Sequence, residues 1–307
     1  MVSVIVTTKN QEDDVEPCLL SVIRQDYDKD FEIIVIDDAS RDHTVDIVKK
    51  KFKNRVRIIE KSKPRGWLDS LSRACETAKE DILIFFDPHC AAAGGWLGSY
   101  VSCFESDPDV SVISGPLRHT GSFLHKLCLL TYESLFLPRQ RRYVHYVEND
   151  NFAIKKNALK NLLPCLPINH AINASPGGAL LSAEFKKQSI TVLYEPGVAV
   201  LHQHHPKTFL NYLKHWASYS ADTSVVIRKF NPSASGAQWL SHPLIAAMAF
   251  PCARFISDIR NIFRFKKELG VKTWQIPFFL LASAVGKLCY GWGLIAILIK
   301  DKELKNF

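Results

Sequence analysis

A chain of 307 residues that is 47% hydrophobic and 23% charged is long enough to bury a sizeable core and too apolar to remain disordered. Its formal charge of +8 is unevenly spread: residues 1–200 carry 25 basic against 26 acidic side chains, and residues 201–307 carry 14 against 5. A basic segment attracts nucleic acid or an anionic membrane. Here it is interleaved with long apolar runs, so the expected partner is a membrane surface and not nucleic acid.

The first half alternates short β-branched runs with helical periodicity, the pattern of a doubly wound parallel sheet. Val2–Thr7 reads as a first strand, Val15–Gln25 as a helix, Glu32–Ile36 as a strand and Thr44–Phe52 as a helix. Val56–Glu60 follows as a strand, Trp67–Lys79 as a helix and Ile82–Phe86 as a fourth strand leading into Asp87. These strands do not alternate apolar with polar residues, which indicates burial on both faces. Around residues 107–165 the pattern turns to mixed strands and loops, with Val110–Ser114 as a strand and Lys156–Leu163 as a helix. Val192–Tyr194 and Val198–His202 are two further short strands flanking Glu195-Pro196-Gly197.

Beyond them the composition changes. Phe209–Phe230 is a basic amphipathic helix, Leu240–Ile256 and Ile276–Ile299 are strongly apolar, and Arg260–Lys267 is a basic bridge between the two. The second apolar run is long enough to span a bilayer, but Lys287 near its middle and Gly286, Gly291 and Gly293 weaken it. Helices lying in the membrane interface are therefore expected. The domain reading is a nucleotide-type α/β domain over residues 1–205 and a helical, membrane-associated region over 206–307. Eight cysteines lack any Cys-x-x-Cys or zinc spacing, and the chain opens on strand residues where a secretory leader would stand. Free thiols and a location on the cytoplasmic face of the membrane, peripheral or monotopic, are expected.

Three strand ends carry polar residues suited to chemistry. The first reads Thr7-Thr8-Lys9-Asn10, the second Asp37-Asp38-Ala39-Ser40, and the fourth Asp87-Pro88-His89. In a parallel sheet these carboxyl ends lie along one edge, where open α/β sheets bind their ligands. Asp87 and His89, two residues apart, point to one side and suit a divalent cation. Of Asp37 and Asp38, one is expected to cap the helix at Thr44 and the other to meet ligand.

The opening Val4-Ile5-Val6-Thr7-Thr8-Lys9-Asn10, followed by Ile33-Ile34-Val35-Ile36-Asp37-Asp38-Ala39-Ser40, resembles the family 2 glycosyltransferases of the GT-A fold. Gly66, Asp81, Asp87, Gly95-Trp96-Leu97, Asn151–Lys156 and Tyr194-x-Pro196 extend the resemblance over roughly residues 1–220. It implies transfer of a sugar from a nucleotide diphosphate sugar, UDP favoured, to a glycan or lipid-linked acceptor beside the membrane. Asp38 would accept a hydrogen bond from the base, Thr7 and Asn10 would lie near base and ribose, and Gly66 and Asp87 would complete the donor site.

The family's metal motif is usually Asp-x-Asp. Here it reads Asp87-x-His89-Cys90, similar to the polypeptide N-acetylgalactosaminyltransferases, which add a histidine six residues after a proline, the position of His202 after Pro196. The resemblance thus implies Asp87, His89 and His202 as ligands of manganese, or of magnesium, with two imidazoles leaning towards manganese. His204 and His205 are expected to meet solvent or phosphate. Inverting members place a Glu-Asp pair about nineteen residues before the Tyr-x-Pro proline, which falls here on Gly177-Gly178. Glu148, Asp150 and Glu184 are the substitute candidates for the catalytic base. A degenerate, non-catalytic nucleotide-sugar-binding relative is the alternative that the missing pair suggests.

Overall fold

The computed structural model describes residues 2–118, 123–131, 140–203, 208–230, 242–267 and 269–300. They form two compact units, one of residues 1–118 and 138–204 and the other of residues 119–137 and 205–307. In chain order the elements begin with β1 (Val2–Thr8), α1 (Val15–Ile23), β2 (Phe31–Asp37), α2 (Thr44–Lys51), β3 (Arg57–Glu60), α3 (Trp67–Thr77) and β4 (Ile82–Phe86). Next come β5 (Cys90–Ala92), α4 (Trp96–Ser106), β6 (Val112–Ser114), β7 (Leu117–Arg118), α5 (Phe123–Thr131), β8 (Arg142–Val144), β9 (Asn151–Lys155) and α6 (Lys156–Leu162). The last are α7 (Ala174–Lys187), β10 (Val192–Tyr194), β11 (Val200–His202), α8 (Phe209–Phe230), α9 (Pro243–Phe265) and α10 (Ile276–Lys300).

The first unit is an α/β domain on an eight-stranded sheet of order β3-β2-β1-β4-β9-β6-β10-β8, with a small sheet β5-β11-β7 beside it. The strands β3, β2, β1 and β4 are parallel, as the unbroken apolar runs require, and β1 is completely buried from Val2 to Val6. One face packs Val4, Val6, Val35, Ile84 and Phe86 against Val15, Leu19, Trp96 and Tyr100. The strand β9 runs against both β4 and β6. That reversal matters for the site. Asn151 opens β9 and pairs with Phe86 at the carboxyl end of β4, so the residues just before β9 arrive at the same edge as Asp87.

Gly66 shows how tightly that edge is built. It has φ +85°, and a Cβ there would stand 2.4 Å from the Ile172 nitrogen and 2.5 Å from its oxygen. Trp67 N–H donates to the Ile172 oxygen at 2.8 Å, tying the start of α3 to the segment that enters α7. Gly66→Ala is expected to cost more than the roughly 1–3 kcal/mol of backbone strain alone, because the clash is with backbone that cannot turn aside. A melting temperature equal to that of the native protein would contradict this.

In the second unit α5, α8, α9 and α10 enclose Leu127, Tyr212, Trp216, Ile262, Phe279 and Leu294. The helix α9 continues to Phe265, so Arg260 and Arg264 lie in its last turns and the bridge expected there is largely helix. An i, i+3 apolar pair, Ile262 and Phe265, holds it helical. Residues 240 and 241, expected to start this segment, lie outside the described residues. Gly286 lets α10 approach α8, since a Cβ would stand 2.9 Å from Trp216 Cδ1 and 3.0 Å from Tyr212 Cε1. Inside this bundle Lys287 Nζ meets Asp258 Oδ2 at 2.8 Å, both side chains almost wholly buried, and lies 3.3 Å over the Trp216 ring. Ser283 Oγ donates to the same carboxylate oxygen at 2.6 Å.

Candidate active site

The loops after β1 and β2 fasten to each other. Asn10, at φ +56°, donates its N–H to Ser40 Oγ at 2.8 Å, and its Oδ1 accepts from Arg41 N–H at 2.8 Å. Asp37 is buried and braces its own turn, accepting from Ser40 N–H at 2.9 Å and from Thr8 Oγ at 3.1 Å. Neither Asp37 nor Asp38 caps the helix at Thr44. Asp42 does that work, accepting from Thr44 N–H at 3.0 Å and from its hydroxyl at 2.6 Å. The sequence reading missed it because several acidic and hydroxyl residues stand within reach of that helix start, and only the loop path selects one. Thr7 is half-buried at the end of β1, in register with Ile36.

Asp38 sits at the centre of a dense charge network. Its Oδ1 accepts from Arg65 N–H at 2.8 Å, Gly66 N–H at 3.1 Å and Lys61 Nζ at 3.0 Å. Lys61, whose side chain is 1% exposed, also reaches Asp69 Oδ2 at 3.0 Å, the Gly66 oxygen at 2.9 Å and Ser70 Oγ at 2.7 Å. Burial would raise the Asp69 carboxyl, but hydrogen bonds from Arg65 and Lys61 outweigh it and hold the group below its usual range. The sequence reading passed over Lys61 and Asp69. The rule that selected Asp38 and Asp87, a polar residue at the carboxyl end of a strand, applies equally to Lys61 after β3.

At the end of β4, Asp87 N–H donates to the Asp150 oxygen at 3.1 Å, and Asp87 Oδ1 accepts from His89 N–H at 2.8 Å. Burial pushes the Asp87 carboxyl up, opposed by the charge of His89. The antiparallel pairing of β5 with β11 sets His202 opposite Cys90, and Gln203 N–H donates to the His89 oxygen at 2.8 Å. As a result the His89 and His202 rings stand 6.3 Å apart and almost perpendicular, and His202 Nε2 lies 3.7 Å from Asp150 Oδ2. His89 and His202 are thereby brought near each other, with Asp150 beside His202 and Asp87 bonded to the His89 backbone, from three separate stretches of chain. The buried thiols of Cys18 and Cys90 are pushed well up, which keeps them protonated and poor ligands.

His89 Nδ1 lies 3.0 Å from Asp14 Oδ2, and its Nε2 lies 3.2 Å from Gln11 Nε2. A carboxylate beside Nδ1 places the proton there and leaves the Nε2 lone pair to accept, the arrangement in which a histidine coordinates a metal. Among the described residues no group of three carboxylate, imidazole or thiol side chains is placed to hold a metal ion. The residue types at this edge, an oriented imidazole, a second imidazole 6.3 Å from it and a buried carboxylate two residues before the first, are nevertheless ones that suit a divalent cation. His204 and His205 lie outside the described residues.

Of the candidate bases, Asp150 lies beside His202. Glu148 is buried, and its N–H donates to Ser114 Oγ at 2.9 Å. Glu184 is engaged on its own helix, by Gln188 Nε2 at 2.6 Å and by Lys187 at 3.5 Å. The Gly177-Gly178 pair is glycine for a spatial reason: a Cβ at Gly177 would stand 2.8 Å from Trp67 Cε3, and one at Gly178 2.6 Å from Asn149 Oδ1. Asn149 Nδ2 in turn donates to Asp150 Oδ1 at 3.0 Å.

A mixed sheet with helices on both sides, polar residues standing at the carboxyl ends of its parallel strands, is the GT-A architecture, the scaffold of glycosyltransferases. The chain belongs to glycosyl transferase family 2, whose family model matches residues 3–163, and it is a glycosyltransferase. An uncharacterized glycosyltransferase of Haemophilus influenzae is 23% identical over 304 residues, covering 92% of this chain and 96% of that one. A poly-beta-1,6-N-acetyl-D-glucosamine synthase of Staphylococcus aureus is 26% identical over 137 residues, 44% of this chain and 33% of its own length. Among solved structures, the mannosyltransferase PcManGT of Pyrobaculum calidifontis in complex with GDP-Man and Mn2+ superposes with a TM-score of 0.58 at 19% identity, over 99% of this chain and 88% of that one. Residues 1–349 of S. aureus TarS with UDP-GlcNAc give 0.53 at 14% identity, over 100% and 92%. At these identities the likeness is one of fold.

Proposed function

We propose that this glycosyltransferase takes a hexose from a nucleotide diphosphate sugar, UDP favoured, and passes it to a glycan or lipid-linked acceptor at the membrane, as in polysaccharide biosynthesis. The observation that supports the donor half is the approach of His202 to His89 through the pairing of β5 with β11, next to Asp87 at the strand edge that Asp38 shares. Asp87, His89 and His202 would hold a divalent cation, manganese in preference to magnesium because two of the three are imidazoles. Bound there, it would supply charge neutralisation for the departing diphosphate. The Asp-x-His pattern of the polypeptide N-acetylgalactosaminyltransferases supports this ligand set, as does the Mn2+ of the GDP-Man complex of PcManGT. Asp14 would orient His89, and Asp150, aligned by Asn149, is the candidate base.

Calorimetry with a panel of nucleotide sugars tests the reading. Affinity for a nucleotide diphosphate should need Mn2+ or Mg2+ and should fall strongly in His89→Ala; binding that is equal in chelator would refute the metal.

The acceptor half rests on the helical unit. On α9 the side chains of Leu244, Ile245, Met248 and Ile256 are exposed, and on α10 those of Phe278, Leu281, Leu288 and Trp292, the last two about 70% exposed at 73% and 69%. Arg260, Arg264, Lys267 and Lys272 follow at the same end of the pair. Thr273–Ile297 is long and apolar enough to cross a bilayer. One face of α10, however, carries Gly286 and the Asp258–Lys287 pair packed against protein. An in-plane position, apolar side chains below the headgroups and basic ones at them, fits both facts and a peripheral or monotopic location on the cytoplasmic face. Co-sedimentation with vesicles containing phosphatidylglycerol should be strong at low salt, fall as salt rises, and drop at least about tenfold in Leu288→Asp/Trp292→Asp. Unchanged binding by that variant would remove the interface reading.

A further inference from the structure

We propose that Lys61 is a positioning residue: by neutralising Asp69 beside it, it holds Asp38 in the orientation that reads an N–H on the donor's nucleobase. The inference rests on the nucleotide-donor reading above and names what sets the class of base.

An ionised carboxylate has about four acceptor positions, two on each oxygen. Asp38 Oδ1 receives three donors, from Arg65 N–H, Gly66 N–H and Lys61 Nζ, so it has no capacity for a ligand. Its Oδ2 meets Gly66 N–H at 3.2 Å and the half-exposed Lys9 ammonium at 3.7 Å. Oδ2 therefore retains acceptor capacity, directed by how Oδ1 is held. Uracil and guanine present a ring N–H to such an oxygen. Cytosine and adenine present a bare ring nitrogen at the corresponding place, which a carboxylate repels. A fixed Asp38 is thus a filter that admits uridine or guanosine donors and rejects cytidine and adenosine ones.

Asp38 cannot hold that pose by itself. Asp69 is bonded to the same ammonium at the same distance, 3.0 Å, as Asp38, so without the cation two largely buried carboxylates would face each other with like charge. Asp69 would keep Arg65 Nε at 2.6 Å and Arg73 Nε at 3.4 Å. Asp38 would keep two backbone amides and the distant Lys9, which makes it the partner that turns away.

The experiment is calorimetric binding of UDP, GDP, CDP and ADP, with Mn2+, to the full chain and its variants, each checked by its melting temperature. The native protein should prefer UDP or GDP over CDP and ADP. In Lys61→Met that preference should shrink by roughly tenfold or more, and in Lys61→Met/Asp69→Asn, which removes the repelling carboxylate as well, most of it should return. A parallel loss across all four nucleotides would reveal a merely structural lysine and overturn the inference, as would a double variant that folds without the preference. Should Lys61→Met fail to fold, the double variant alone decides. No binding of any nucleotide by the native chain would overturn the donor reading itself, and this inference with it.

Discussion

Asp150→Asn is expected to lower sugar transfer by roughly 100-fold or more while leaving the affinity for nucleotide diphosphate nearly unchanged. The change keeps size and shape and removes the carboxylate's charge and its capacity to take a proton. Asp150 lies beside His202 at the Asp87 edge, because β9 runs antiparallel to β4 and begins there. Glu184→Gln should leave turnover close to native, since Glu184 is held by Gln188 and Lys187. Steady-state rates together with nucleotide dissociation constants distinguish the outcomes. Turnover untouched by Asp150→Asn would assign the transfer to a route without a protein base, as in a retaining mechanism, and undifferentiated loss of nucleotide binding would assign Asp150 to the donor site.

Breaking the buried ion pair of the helical unit should be the larger effect on stability. Asp258→Leu leaves the Lys287 ammonium buried without its counter-charge and is expected to cost about 3–5 kcal/mol. Asp258→Leu/Lys287→Met, which replaces both by apolar groups of similar volume, should be close to native or more stable. The titration points the same way. Burial lowers the Lys287 ammonium to about 8, against the attraction of Asp258, and raises the Asp258 carboxyl despite Lys287. A lysine with its folded value below its unfolded one binds fewer protons folded than unfolded between about pH 8 and the ordinary lysine range near 10.4. Its contribution to stability therefore rises with pH across that window. Thermal melts at pH 8 and pH 10 should show a gain from this group that is absent in the double variant. A double variant as unstable as Asp258→Leu would show that the pair contributes net stability.

Both results turn on features that one sequence displays unequally. The parallel core was legible because β1, β2 and β4 are apolar without alternation, a pattern that only burial on both faces tolerates. Asp38, Asp87 and His89 were legible as well, since a strand's carboxyl end is a fixed place relative to its apolar run. Local periodicity placed α8, because an amphipathic helix writes its own period into the chain, and the strongly apolar run Ile276–Ile299 placed α10.

What the sequence could not decide are the pairings between distant stretches. His202 was suggested by a resemblance, but its place beside His89 is the work of a three-residue antiparallel match between β5 and β11, too short for any periodicity to announce. Asp150 stood level with Glu148 and Glu184 in the sequence, and it is the reversed direction of β9 that sets it beside His202, while Glu184 is engaged along α7. Lys61 and Asp69 were passed over in the sequence, and form a buried network only because β3 and α3 close around Asp38. Gly177 and Gly178 read as a missing base, whereas Trp67 and Asn149 fill the space that larger side chains would need. The sequence by itself determined which segments are strands and helices and which strand ends carry polar residues, because backbone geometry and burial act locally. The tertiary structure alone decided which side chains meet, because long-range register follows from the closing of the whole core and is written in no single segment.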